Sequence, residues 1–286
     1  MLRSVGLSLA IVLACSHSTP APTTPSTPSQ PTDTTWQLVW SDEFDGSAGS
    51  VPDATKWRYD LGDGCAQNLC GWGNSEKEYY TDAPDNVAMN GAGQLVIVAR
   101  ALPAGSTCGG VTCRYTSAKL TTRGLMNAAP GRIEARIKLP SGQGLWPAFW
   151  ALGHDHPNTP WPMCGELDIM ENRGSQPDIT SSAVHGPNYA GGSSFNAIRA
   201  LATSADDFHT YAVEWNTANI RFFVDGVFSF GVSRSDVQSK GPWVFDQSFY
   251  LILNLAVGGH FDGDPQSDAI FPATMLVDYV RVYRRG

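Results

Sequence analysis

Positive charge is scarce in this sequence. Nineteen Lys and Arg residues stand against 27 Asp and Glu, for a formal net charge of −8 over 286 residues. That balance excludes a general nucleic-acid binder and a protein drawn to anionic membrane surfaces. It also disfavours a strongly sulfated polysaccharide, which would call for a basic cleft. Long apolar runs are missing as well. The stretch from Val5 to Ala14 is too short to cross a bilayer as a helix. Heptads, long amphipathic helices and internal repeats of about 20 to 50 residues are absent, which sets aside coiled coils and solenoids.

What is present begins with a targeting segment. "MLRSVGLSLAIVLAC" carries Arg3, an apolar centre and small residues before Cys15, the pattern of a secretory signal peptide over residues 1–15. Its end resembles a bacterial lipobox, in which Cys15 becomes a lipidated N-terminus; the alternative is an ordinary cleaved signal. The protein is therefore expected to be exported, as a lipoprotein anchored through Cys15 at the cell surface or outer membrane, or otherwise secreted. Residues 16–35 are almost wholly Ser, Thr, Pro, Ala and Gln, have nothing to pack, and read as an extended tether. Residues 36–286 then form one folded domain.

Export permits disulfides. "CAQNLC" and "CGGVTC" place Cys65, Cys70, Cys108 and Cys113 in Gly-rich loop sequence, and two local disulfides are expected in preference to a zinc site. Cys164 is left over as a small buried filler.

The folded part reads as short strands broken by Gly, Pro and Asp. "GRIEARIKLP" alternates Ile133, Ala135, Ile137 and Leu139 with Arg132, Glu134, Arg136 and Lys138. "VDGVF" carries an Asp-Gly hairpin signal. An all-β sandwich follows.

One strand breaks the alternation rule. "CGELDIME" sets Glu166 and Asp168 on one face of a strand, but Glu171 falls out of phase with them. A bulge near Ile169–Met170 returns Glu171 to their side. Three acids on one sheet face suit either a hard cation or the hydrolysis of a glycosidic bond. The second needs two carboxyl groups, and a third acid between them can set their protonation apart. Trp146, Trp150 and Trp161 surround the acids in sequence, and flat rings stack on the C–H faces of sugars. Trp146 and Trp161, near Gly and Pro turns, suit a cleft; Trp150 suits cleft or core equally. Acids and tryptophans in an exported acidic β-protein point to carbohydrate.

The segment "WPMCGELDIMENRG" resembles the signature of glycoside hydrolase family 16, in its laminarinase-like branch. The resemblance continues through "WSDEFDG", "GWGNSEKEYYT", "YTSAKLTT", "GLWPAFW", "FHTYAVEW", "LILNLAVGG" and "VDYVRVY". It implies a β-jelly-roll of two antiparallel sheets with a concave substrate cleft. It further implies retaining endo-hydrolysis of β-1,3-glucan, with Glu166 as nucleophile, Glu171 as general acid/base and Asp168 as assisting acid. Asn74, Trp146, Trp161 and His185 match positions that hold glucose units. Lys119 stands where the family often has Arg, so a forked contact to sugar hydroxyls is in question there. His209 is expected to be a core histidine. No cofactor is implied for catalysis, but Glu43, the Gly93 carbonyl and Asp278 match a structural calcium site. The expected partner is a polysaccharide, and the enzyme is expected to be a monomer. Alternatives of the same fold are a mixed-linkage glucanase, a transglycosylase and a non-catalytic β-glucan lectin; a calcium-dependent adhesion module would use the acids to bind metal.

Overall fold

The computed structural model describes residues 36–286; the expected signal segment, Cys15 and tether lie outside these residues. Two large sheets of ten and seven strands make the fold. The seven-stranded sheet runs, edge to edge, Phe195–Ala200, Ile179–His185, Glu166–Asn172, Leu145–Gly153, Phe249–Val257, Lys119–Thr121 and Arg58–Tyr59. The ten-stranded sheet is built around Arg132–Lys138 and the long strand Ala273–Arg285. Pairing is antiparallel except at one edge, where Glu78–Tyr80 runs parallel to Tyr115–Ser117. The two sheets are thus antiparallel as expected, with one parallel pair added at that edge. The two segments are 34 residues apart in sequence, ample for the crossover that a parallel pair needs.

Alternation decides which face goes inward. Ile133, Ala135, Ile137 and Leu139 are all buried in the core, as are Phe149, Ala151, Leu251, Leu253, Leu255 and Val257 of the opposing sheet. The polar set of the Arg132–Lys138 strand behaves differently from the simple rule. Arg132 and Glu134 are also buried, and they pair with each other, while Arg132 Nη1 lies 2.8 Å from Glu214 and Tyr279 donates to Glu134 at 2.9 Å. Burial of charge is tolerable there because every charge has a partner. The Asp-Gly signal forms its hairpin, with Asp225 and Gly226 at φ 51° and 73°, the left-handed values a two-residue turn between twisted strands requires.

Cys65–Cys70 and Cys108–Cys113 form the two local disulfides, and Cys164 is a buried free thiol. Burial, then the Glu166 charge, pushes that thiol up to about 11. It packs with Leu152, Tyr250 and Ile252. His209 is half-buried and lies outside the core expected for it, with its ring nitrogens held by Thr203 at 2.9 Å and Asp225 at 2.7 Å.

The calcium expectation does not fit the arrangement of its residues. Both oxygens of Glu43 accept from Arg281, at 2.9 and 2.7 Å, and Asp278, the extra residue of a bulge opposite Arg136–Ile137, accepts from Arg136 at 2.8 Å. Gly93 lies in the separate turn before Leu95–Ala101, at φ 77°. Two guanidinium groups already compensate the two carboxylates, so a cation would have to displace both ion pairs. Thermal melting in excess chelator is accordingly expected to match that in buffer; a chelator-dependent fall in the midpoint would restore the metal.

Candidate active site

The acidic strand sits inside the seven-stranded sheet, entered through Gly165 at φ 75°. On its Ile179–His185 side, Asp168 pairs with Ala183 and Glu171 with Ser181, so that Ser182 alone faces both Ile169 and Met170. On its other side, Trp150 pairs with Asp168 and Ala148 with Glu171. This is the bulge that the sequence phase demands. Ile169 and Met170 both enter the core, and the odd residue turns Glu171 to the face of Glu166 and Asp168.

Directly paired residues share a face. The pairing Leu152–Glu166, Trp150–Asp168 and Ala148–Glu171 therefore places Trp150 beside the acids and not in the core. Two tryptophans bond the two outer acids separately. Trp146 Nε1 donates to Glu171 Oε1 at 3.0 Å, and Trp161 Nε1 donates to Glu166 Oε2 at 2.5 Å. Trp161 is 47% exposed, a flat ring open to solvent at the rim. Trp146 stacks on Phe261 with centroids 4.8 Å apart.

His185 does not reach outward. Its Nδ1 accepts the Gly191 N–H at 3.0 Å, which leaves the ring proton on Nε2, 2.9 Å from Asp168 Oδ2. Glu166, Asp168 and His185 are also the one set among the described residues with three metal-capable side chains close together. A metal on Nε2 would have to displace the proton that the Gly191 contact fixes there, and calcium prefers all-oxygen ligands. The arrangement holds protons and does not present a cation site.

Burial is the first cause acting on every acid of the trio. It raises Glu166 well above the ordinary range, with the Asp168 charge adding to it while His185 and the Trp161 N–H oppose. Asp168 is raised by burial and then by Glu171. Glu171 is pushed up to about 7 by burial and then by Glu166, with His185 and the Trp146 N–H opposing. Glu166 and Asp168 each present an oxygen within 4.8 Å of the other, so the Asp168 charge resists ionisation of Glu166. Three carboxylates cannot all ionise in so small a space; the site stores protons at neutral pH.

The remaining expected contacts divide. Asn74 lines the same cavity and donates one of its two Nδ2 hydrogens to Glu76 Oε1 at 3.0 Å. The Lys119 ammonium is held between the rings of Trp72 and Trp150, 4.2 and 5.1 Å from their centroids, and 3.9 Å from Asp60. It props the aromatic floor and makes no fork. Sequence reading passed over Trp72, Glu76 and Asn254, which line the cavity with the acids. Asn254 had a signal, as the one polar residue in the apolar strand "FYLILNLAV".

The model of glycosyl hydrolases family 16 matches residues 74–281. The chain is 40% identical to a β-glucanase of Rhodothermus marinus, covering 99% of this chain and 95% of that protein. It is 38% identical to glucan endo-1,3-beta-glucosidase A1 of Niallia circulans, over 86% of this chain but 38% of that longer protein. The laminarinase catalytic domain of Thermotoga maritima superposes with a TM-score of 0.82 at 41% identity, covering 88% of this chain and 99% of that one. A bulged strand that gathers three acids under indole donors, and a family match spanning most of the folded domain, lead to one conclusion: this chain belongs to glycosyl hydrolases family 16.

Proposed function

We propose that the protein hydrolyses β-1,3-glucan at internal linkages with retention of the anomeric centre. The observation that carries the mechanism is the bulge at Ile169–Met170, which brings Glu166 and Glu171 to one sheet face with Asp168 between them. Glu166 is the nucleophile, oriented by the Trp161 N–H. Glu171 protonates the leaving oxygen and then deprotonates the incoming water, and its position near pH 7 suits both tasks. Asp168, fixed by His185, shares a proton with Glu166 and releases the nucleophile's charge when the sugar approaches. The glucan substrate is supported by the names of the similar proteins and by the tryptophan-lined face.

Reducing-sugar release is expected from laminarin and not from carboxymethyl cellulose or agarose, with the β-anomer as first product by NMR. Early α-anomer would overturn the double displacement, and preference for another polymer would overturn the substrate. Attachment to a membrane through Cys15 is proposed on the lipobox-like sequence alone. Labelled fatty acid on the protein, lost in Cys15→Ser, is the expected result; an unmodified N-terminus beyond Cys15 would mean plain secretion.

A further inference from the structure

Two glutamates outside the acid trio have no part in the chemistry above. Glu78 lies on the parallel edge strand with its side chain 2% exposed. Its Oε2 accepts the Val257 N–H at 2.6 Å. Its Oε1 is enclosed without a hydrogen-bond partner, and the charge of the neighbouring Glu76 acts on this carboxyl. An enclosed carboxylate oxygen beside a second carboxylate cannot stay bare; a proton on it turns repulsion into a hydrogen bond.

Glu76 is engaged on its other sides too. Its Oε1 accepts from Asn74 at 3.0 Å and its Oε2 from the Tyr80 hydroxyl at 3.3 Å. The network continues into the floor of the site. Tyr80 accepts from Asn254 Nδ2 at 3.0 Å, and Asn254 Oδ1 accepts from Trp150 Nε1 at 2.7 Å. A carboxylate has about four acceptor positions. Asn74, Tyr80 and Glu78 use three, and Glu76 lines the cavity that holds the catalytic acids. One acceptor position is left for a ligand.

We propose that Glu76 accepts a glucan hydroxyl in the wall of the cleft, and that Glu78 is its positioning residue, a neutral carboxylic acid whose O–H bonds the Glu76 carboxylate. The proposal rests on the β-glucan reading. Burial, followed by the Glu76 charge, holds the Glu78 carboxyl well above the ordinary range. Besides Glu76 and Tyr80, the groups around it across an adjoining cavity of about 600 Å³ are Asp63, Lys77, Arg114 and Asp264. Lys77 and Arg114 are taken up by Asp264 and Asp268, so no free cation draws the proton off Glu78. When Glu78 does ionise, the second charge repels Glu76 and shifts it from the position that meets the sugar.

The test uses the full chain with Glu166→Gln, which binds without cleaving, and calorimetric titration with laminari-oligosaccharides. Adding Glu78→Leu is expected to weaken affinity by about tenfold, the worth of one charge-assisted hydrogen bond. Adding Glu78→Gln should restore it to within about twofold of the parent, because the amide donates to Glu76 while its carbonyl still accepts from Val257. In the otherwise native enzyme, Glu76→Gln should raise KM about tenfold with kcat changed less than about twofold. Equal affinity in Glu78→Leu and its parent, or loss in Glu78→Gln as large as in Glu78→Leu, would overturn the positioning role. An unchanged KM in Glu76→Gln would overturn the contact. Failure of the Glu166→Gln parent to bind any laminari-oligosaccharide is a separate outcome, which overturns the glucan reading itself.

Discussion

Glu166→Gln is expected to reduce laminarin hydrolysis by on the order of 10⁴-fold or more, measured as kcat, with KM little changed. The amide keeps the shape of the carboxyl and still accepts from Trp161, but it cannot form the glycosyl-enzyme bond. Asp168 cannot substitute, since it lies in the sheet floor at 4% exposure and is tied to His185. The same change is expected to raise the melting temperature at neutral pH, because it removes one of three acids that resist ionisation together. Circular dichroism would show the fold retained. A variant with more than about a hundredth of native activity would remove Glu166 from the nucleophile's role, since even loss of a general acid usually costs about 10²–10⁴-fold.

Glu171→Gln is expected to lower kcat on laminarin by about 10²–10⁴-fold, and far less on an aryl glycoside whose leaving group needs no proton. That split separates an acid from a nucleophile. In the native enzyme, the acid must be protonated, so kcat/KM should fall on the alkaline side of about pH 7, where Glu171 titrates. Glu171→Gln should abolish that limb. Stability shifts in the same window and with a definite sign. Below the ordinary carboxyl range Glu171 is protonated in both folded and unfolded chains and costs nothing. As pH rises toward 7, the unfolded chain releases the proton first, so the native state loses relative stability. The shift from 4.5 to about 7 corresponds to about 3–4 kcal/mol as an upper bound, at about 1.4 kcal/mol per pH unit. Denaturant midpoints should therefore converge for native and Glu171→Gln proteins at pH 4 and diverge in favour of the variant by about pH 8. Equal midpoints at both pH values would contradict a buried, proton-holding Glu171.

Much of this was written in local sequence. A strand alternates with period two, so the misplaced phase of Glu171 against Glu166 and Asp168 announced a bulge before any partner strand was known, and the pairing with Ser182 bears it out. The hairpin at Asp225–Gly226 and the two disulfides are likewise short-range features, closed within a few residues. Long-range register is another matter. Which indole serves which glutamate depends on residues 25 positions apart for Trp146 and Glu171, and on a loop that folds back for Trp161. Trp150 could be assigned to the cleft only once its partner across the sheet, Asp168, was fixed. The contact between Tyr80 and Asn254 spans 174 residues, and no pattern in either segment specifies it. The carboxylates expected to hold calcium illustrate the converse: the motif is present, but Arg281 and Arg136, brought in by the tertiary fold, occupy both. Sequence by itself determined the faces of strands, the short turns and the gathering of the acid trio on one face, because periodicity and chain stiffness act over a few residues. The tertiary structure alone decided hydrogen-bond partners and the burial of Arg132, Glu134 and Glu78, because each depends on which distant strands share an enclosed, low-dielectric space.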